Sequence, residues 1–177
     1  MPMQLLTRAA ALRLGAGAAL GLSASAPPDT DLAYARLLVA VELLADDFYT
    51  QALAVDASPA LHEARANERA HYAGLANLLK SDGQTPAVAG DIDFSYPKEG
   101  FSSVASVRKL GAALETLQLG AYLGAADGLV SEPLRGIVTR IAANEAQHLT
   151  VFQPFRASFP VALTIEQASD ALAEYTS

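Results

Sequence analysis

The 177-residue chain predicts an all-α fold, an antiparallel four-helix bundle with one long crossover connection and a short C-terminal fifth helix. Apolar residues recur at helical spacing in four long segments, and nothing alternates as a strand would. Two of the three connections between those segments are short, which makes each flanking pair an antiparallel hairpin. The third, residues 84–102, is rich in Pro, Gly, Asp and Ser and keeps no period. About twenty residues can extend to about 65 Å, twice the ~33 Å of a helix of about 22 residues. The chain can therefore recross the bundle and run its third helix parallel to its second.

Each element has its own signal. After Pro27-Pro28, Asp29, Thr30 or Asp31 is expected to cap a helix reaching about Leu53, with Leu37, Leu38, Val41, Leu44, Ala45, Phe48 and Ala52 on its apolar positions. Ser58 before Pro59 is an N-cap with proline at the first helical position. That second helix runs to about Lys80 and stops at Ser81-Asp82-Gly83. The third spans about Ser103 to Asp127 and closes at Gly128; the fourth runs from near Ser131 toward Phe152, with Pro154 near its end. Thr164-Ile165-Glu166-Gln167 is a capping box that opens a short helix to about Tyr175. Gly120, Gly124 and Gly128 line one stripe of the third helix. Each costs about 1 kcal/mol of helix propensity against alanine, so close approach by a neighbouring helix of the same chain is expected ahead of a dimer seam.

Bulk properties narrow the function. Apolar residues make up 51% and charged ones 18%, so the chain can build a core. A formal charge of −7 argues against nucleic acid as a partner. With no cysteine, disulfides, thiolate zinc and iron–sulfur clusters are excluded. Residues 1–26 lack acidic groups; Arg8 and Arg13 precede the apolar run Leu14 to Leu22, and Ala24-Ser25-Ala26 offers a small-x-small cleavage pattern. A signal peptide over 1–26, export, and a mature domain over 27–177 are expected. The apolar run is too short for a stable membrane span.

The chemistry is concentrated in a repeat. Glu68-Arg69-Ala70-His71 and Glu145-Ala146-Gln147-His148 each place a carboxylate and an imidazole three residues apart on a predicted helix. Such residues share a helix face, offset by about 60° with a rise of about 4.5 Å, and can point at one metal centre. The helix before each pair carries a lone Glu on an apolar stretch, Glu42 and Glu115, with a tyrosine seven residues on, Tyr49 and Tyr122. Four buried carboxylates would repel one another and take up protons. Two divalent cations cancel the four charges, and two imidazoles complete the donor set.

The set Glu42, Glu68/His71, Glu115, Glu145/His148 resembles the ferritin-like di-iron carboxylate superfamily. The segment from Glu115 to Ala126 is particularly similar to the exported ferritin-like group that includes plant desiccation-related proteins. The resemblance implies a ferritin-like bundle over about 29–177, with Glu68 and Glu145 bridging two iron ions. Glu42 and Glu115 would be terminal ligands, and one histidine would serve each metal. It also implies redox chemistry with O₂ or peroxide, as ferroxidase, oxidase or scavenger, with Fe(II) as a candidate substrate and manganese as an alternative metal. Met occurs only at positions 1 and 3, so a haem-ligating methionine has no counterpart, and the missing cysteines exclude a rubrerythrin-type module. The alternative is a non-catalytic stress or interaction bundle with a structural or degenerate metal site. Oligomerisation is left open.

Other polar residues are expected elsewhere. His62 lies about 180° around the helix from His71, and Glu63 about 140° from Glu68, so both belong on the surface. Asp46, Asp47, Asn67 and Asn144 are also assigned to the surface. Tyr49 and Tyr122 either bond the ligating carboxylates or hold a radical, or they are core tyrosines with satisfied hydroxyls.

Overall fold

A computed structural model describes residues 28–152 and 160–177. The expected leader and Pro154 lie outside the described residues. These residues form α1 (Asp29–Ala52), α2 (Pro59–Ser81), α3 (Val104–Gly128), α4 (Glu132–Phe152) and α5 (Ile165–Ala173), with one 3₁₀ turn, Ala89–Asp91, in the crossover. The only pairing of strand type among them is a single bridge between Phe94 and Thr176.

The helix ends obey local chemistry, except that two helix starts lack a side-chain cap bond. Ser103 accepts from the Ser106 N–H at 3.1 Å. Thr164 and Gln167 complete the expected capping box at 2.9 and 3.2 Å. Gly83 takes a φ of 70°, the left-handed geometry that terminates α2. Ser58 sits at the N-cap of α2 before Pro59 as expected, but its side chain makes no cap bond, and α1 likewise starts after Pro28 with no side-chain cap. Asp31, expected to serve that cap, is instead fully buried and accepts from the Val130 and Ser131 N–H groups, both at 2.8 Å. Those N–H groups lie where the chain enters α4, where donors have no intrahelical acceptor. A carboxylate also suits the positive end of a helix, so α1 caps α4 across the bundle.

α1 packs chiefly on α2 and α3 on α4, so the predicted hairpins are the structural units. Between hairpins, α1–α3 is the broader contact and α2–α4 the narrower, while α5 lies on α1 and α3. The core holds Leu38, Val39, Phe48, Leu61, Leu75, Leu79, Val107, Leu129 and Val138, all nearly inaccessible. The crossover is no slack tether. Tyr72 donates to Ala87 O at 2.9 Å, Ser95 N–H to Tyr175 O at 2.8 Å, and Phe94, Tyr96 and Phe101 pack on the core.

The glycine stripe meets expectation at Gly128, which Tyr34 of α1 covers, and departs from it at the other two positions. An extended segment before α5, not a helix, seats on Gly120 and Gly124, and the Leu163 N–H donates to Gly120 O at 2.9 Å. A Cβ at Gly124 would collide with the Leu163 carbonyl, and one at Gly128 with the Tyr34 ring. Asp46 and Asp47 are half-buried, not solvated: Asp46 pairs with Arg65 and Asp47 accepts from Tyr96 O–H, each at 2.8 Å. Those bonds compensate their partial desolvation.

Candidate metal centre

Each hairpin brings a carboxylate from its first helix and a Glu-x-x-His pair from its second to the bundle axis. Glu42, Glu68, Glu115 and Glu145 are 0–1% exposed, and His148 4%. His71 is the more open imidazole, its side chain 12% exposed. Glu42, Glu68, His71 and Glu145 form one group whose donor atoms lie within 4.8 Å of one another; Glu68, Glu115, Glu145 and His148 form a second. Glu68 and Glu145 belong to both. All six residues singled out by the repeat therefore converge, while His62 and Glu63 are exposed on the outer face of α2 as expected.

The two halves exchange contacts. Tyr49 of α1 donates to Glu115 of α3, and Tyr122 of α3 donates to Glu42 of α1. Such a swap requires α1 and α3 to run antiparallel, so α3 runs parallel to α2, as the crossover length predicted. The histidines swap likewise. His71 Nδ1 lies 2.8 Å from Glu145 Oε1, and His148 Nδ1 lies 2.7 Å from Glu68 Oε1. The imidazole rings are 6.2 Å apart and inclined by 30°.

Sequence reasoning missed Gln118. Its side chain is 2% exposed and its Nε2 donates to Glu68 Oε2 at 2.7 Å and Glu145 Oε2 at 2.9 Å. The signal was present, because Gln118 follows Glu115 by three residues and so shares its inward face. Asn67, assigned to the surface, is half-buried with its amide 3.2 Å from His148 Nε2. Asn144, its counterpart, is half-buried too.

With Gln118 in place, every central carboxylate has one oxygen held by a neutral donor: Tyr122 on Glu42, Tyr49 on Glu115, and Gln118 on both Glu68 and Glu145. The other oxygen of each, Glu42 Oε2, Glu68 Oε1, Glu115 Oε2 and Glu145 Oε1, is buried without a hydrogen bond. Glu68 Oε1 and Glu145 Oε1 approach imidazole nitrogens but without hydrogen-bond alignment. Buried acceptors without donors are costly. Four bare oxygens and two imidazole nitrogens facing one spot suit cations of intermediate hardness.

The electrostatics carry the same demand. Burial and the adjacent Glu68 charge push the Glu42 carboxyl well above its ordinary range. Burial with Glu68 and Glu145 does the same to Glu115. Burial also works against the charge on Glu68, but the close approach of the His148 and His71 imidazoles outweighs it and brings that group to about 2. Burial opposes protonation of the imidazoles, yet the close carboxylates of Glu145 and its neighbours lift His71 to about 12 and His148 to about 10. Raised carboxyls and raised imidazoles together mark a cluster that favours added positive charge. Burial and the surrounding carboxylates raise both Tyr49 and Tyr122, so the phenols remain O–H donors.

The sequence pattern of the ferritin-like domain matches residues 30–157. The chain belongs to the ferritin-like domain family. No curated protein matches it at a significant level. Among solved structures, this ferritin-like domain is similar to a conserved hypothetical protein from Mycobacterium tuberculosis at 19% identity and a TM-score of 0.62. That match covers 74% of this chain and 97% of the other. It is also similar to a hypothetical protein from Methanococcus jannaschii at 14% identity and a TM-score of 0.62, covering 90% of this chain and 100% of the other. At these identities the likeness shows the fold of the ferritin-like domain alone. No described helix is long and apolar enough to cross a membrane.

Proposed function

We propose that the ferritin-like domain is a dimetal-binding protein that couples reduction of O₂ or peroxide to oxidation of Fe(II) or a small organic reductant. The observation that carries this reading is the ring of four bare carboxylate oxygens and two imidazoles at one buried spot. Glu68 and Glu145, common to both donor groups, would serve both ions, with Glu42 and His71 on one and Glu115 and His148 on the other. Two iron ions, or manganese in a catalase-like role, would supply redox change and Lewis acidity at that spot. The chain's own residues supply the rest. Four carboxylates neutralise two divalent cations, while Tyr49, Tyr122 and Gln118 fix the carboxylate planes by single hydrogen bonds. Leu38, Val41, Leu117 and Ala121, buried on the helices that carry Glu42 and Glu115, belong to the apolar core of the bundle.

The test is metal analysis of the purified chain, followed by Fe(II) reconstitution with O₂ and peroxide electrodes. Two equivalents of iron or manganese and uptake of an oxidant are expected, and Glu68→Ala with His71→Ala should abolish both. A chain that bound no stoichiometric metal and consumed no oxidant would end this reading. Loss of the fold in the double variant would favour a structural metal in a non-catalytic bundle.

Export belongs to the same proposal, supported by the charge order, apolar run and cleavage pattern of residues 1–26 and by the resemblance to exported desiccation-related ferritin-like proteins. A mature chain starting at Pro27, read by mass spectrometry of the secreted protein, is the expected outcome; an intact cytoplasmic chain would contradict it.

A further inference from the structure

We infer that Gln118 is a positioning residue that holds Glu68 and Glu145 to one strongly donating oxygen each, keeping coordination positions open for a small exogenous anion or oxidant. The inference rests on the dimetal reading and concerns how that site leaves room for a ligand.

The argument starts from the side chain's surroundings. A glutamine amide offers two N–H donors on one nitrogen. Both are committed, one to Glu68 Oε2 at 2.7 Å and one to Glu145 Oε2 at 2.9 Å. Two carboxylate acceptors fix which end of the amide faces them, because the carbonyl end would set oxygen against oxygen. The residue is 2% exposed, so water does not compete for those bonds. Bonds to a charged acceptor in such a setting are the stronger kind.

The consequence falls on the two carboxylates shared by both donor groups. A carboxylate that offers both oxygens fills two positions on one metal or one on each of two. An oxygen that already accepts an N–H bond is a weaker donor and its plane is fixed. Glu68 and Glu145 thus present Oε1, the bare atom, ahead of Oε2. The bare oxygens of four carboxylates and two imidazole nitrogens then serve two ions that each prefer about six ligands in oxygen-rich sites. Positions remain that a small exogenous ligand can take. Ala45, the matching position on α1, carries no donor, so only α3 imposes this restraint.

Cobalt(II) is a suitable probe, because its visible ligand-field absorption weakens as coordination number rises. The native chain, loaded with Co(II) and titrated with azide, sets the reference. Gln118→Met keeps the length and removes both donors. It is expected to bind two Co(II), absorb more weakly and bind azide about tenfold more weakly, the scale at which outer hydrogen bonds act on metal sites. Gln118→Glu offers at most one O–H donor in place of two N–H donors. It is also expected to weaken azide binding, and it carries the test if the Met variant fails to fold.

Two bound Co(II) with native absorption and native azide affinity in either folded variant would overturn the role of Gln118 and leave the dimetal reading standing. A native chain that takes up no Co(II) would overturn both. A side chain that merely filled the core would leave azide affinity unmoved in a variant of matched shape.

Discussion

The two helical hairpins carry the same working residues and differ in what surrounds them. α1–α2 contributes Glu42, Tyr49, Glu68 and His71, and α3–α4 contributes Glu115, Tyr122, Glu145 and His148, at corresponding positions. Symmetry stops at the next layer. Gln118 has Ala45 as its counterpart, Asn67 meets His148 across the bundle, and the glycine stripe occurs on α3 alone. At the centre the halves are alike, each giving one lone Glu and one Glu-x-x-His pair to the convergent donor groups. Packing pulls them apart, because α3 must receive the segment leading to α5 and α1 need not.

The largest expected effect breaks that packing difference directly. Gly124→Ala on α3 drives a methyl group into the Leu163 backbone, which no side-chain rotation relieves. The overpacking cost should exceed the ~1 kcal/mol gained in helix propensity and leave the variant about 2–3 kcal/mol less stable. Gly74→Ala, on the exposed face of α2 with nothing within 4 Å, should instead be about 0.5–1 kcal/mol more stable. Denaturant titration of both variants reads the opposite signs. If Gly124→Ala were as stable as the parent, the asymmetry drawn between the hairpins would be wrong.

What could be read from the sequence follows the same division. The six convergent residues were legible because a carboxylate or imidazole inside an apolar helical period is conspicuous, and the repeat supplies its own control. The parallel course of α2 and α3 followed from one connection length. The identity of what covers Gly120 and Gly124 was not legible, since a small-residue stripe signals close approach but not by which segment. Asp31 escaped for another reason. Local rules assign an acidic residue near a helix start to its own cap, whereas its acceptors' partners lie 99 and 100 residues away. Gln118 escaped because a neutral amide attracts less notice than a charge, although its helical phase matches Glu115. The crossed tyrosine bonds needed α1 and α3 to lie side by side with each tyrosine level with the other helix's Glu, which connection lengths alone do not settle.

A smaller effect sharpens the comparison at the histidines. If metal binds His148 through Nδ1, the ring proton resides on Nε2, and that nitrogen becomes a donor. The Asn67 amide 3.2 Å away can meet it with its oxygen by turning about its terminal torsion. His71 and Asn144 make no corresponding bond, and the His71 side chain is also the more exposed, 12% against 5%. The position served by His148 should therefore gain an oriented imidazole that the other lacks. Asn67→Ala is expected to weaken one of two Mn(II) equivalents by about tenfold, about 1.4 kcal/mol, in a calorimetric titration. Asn144→Ala should leave both equivalents as they are. Equal losses from the two variants would mean that the asparagines act alike and that the second layer preserves the symmetry of the first. No loss from either would mean that packing alone orients the rings.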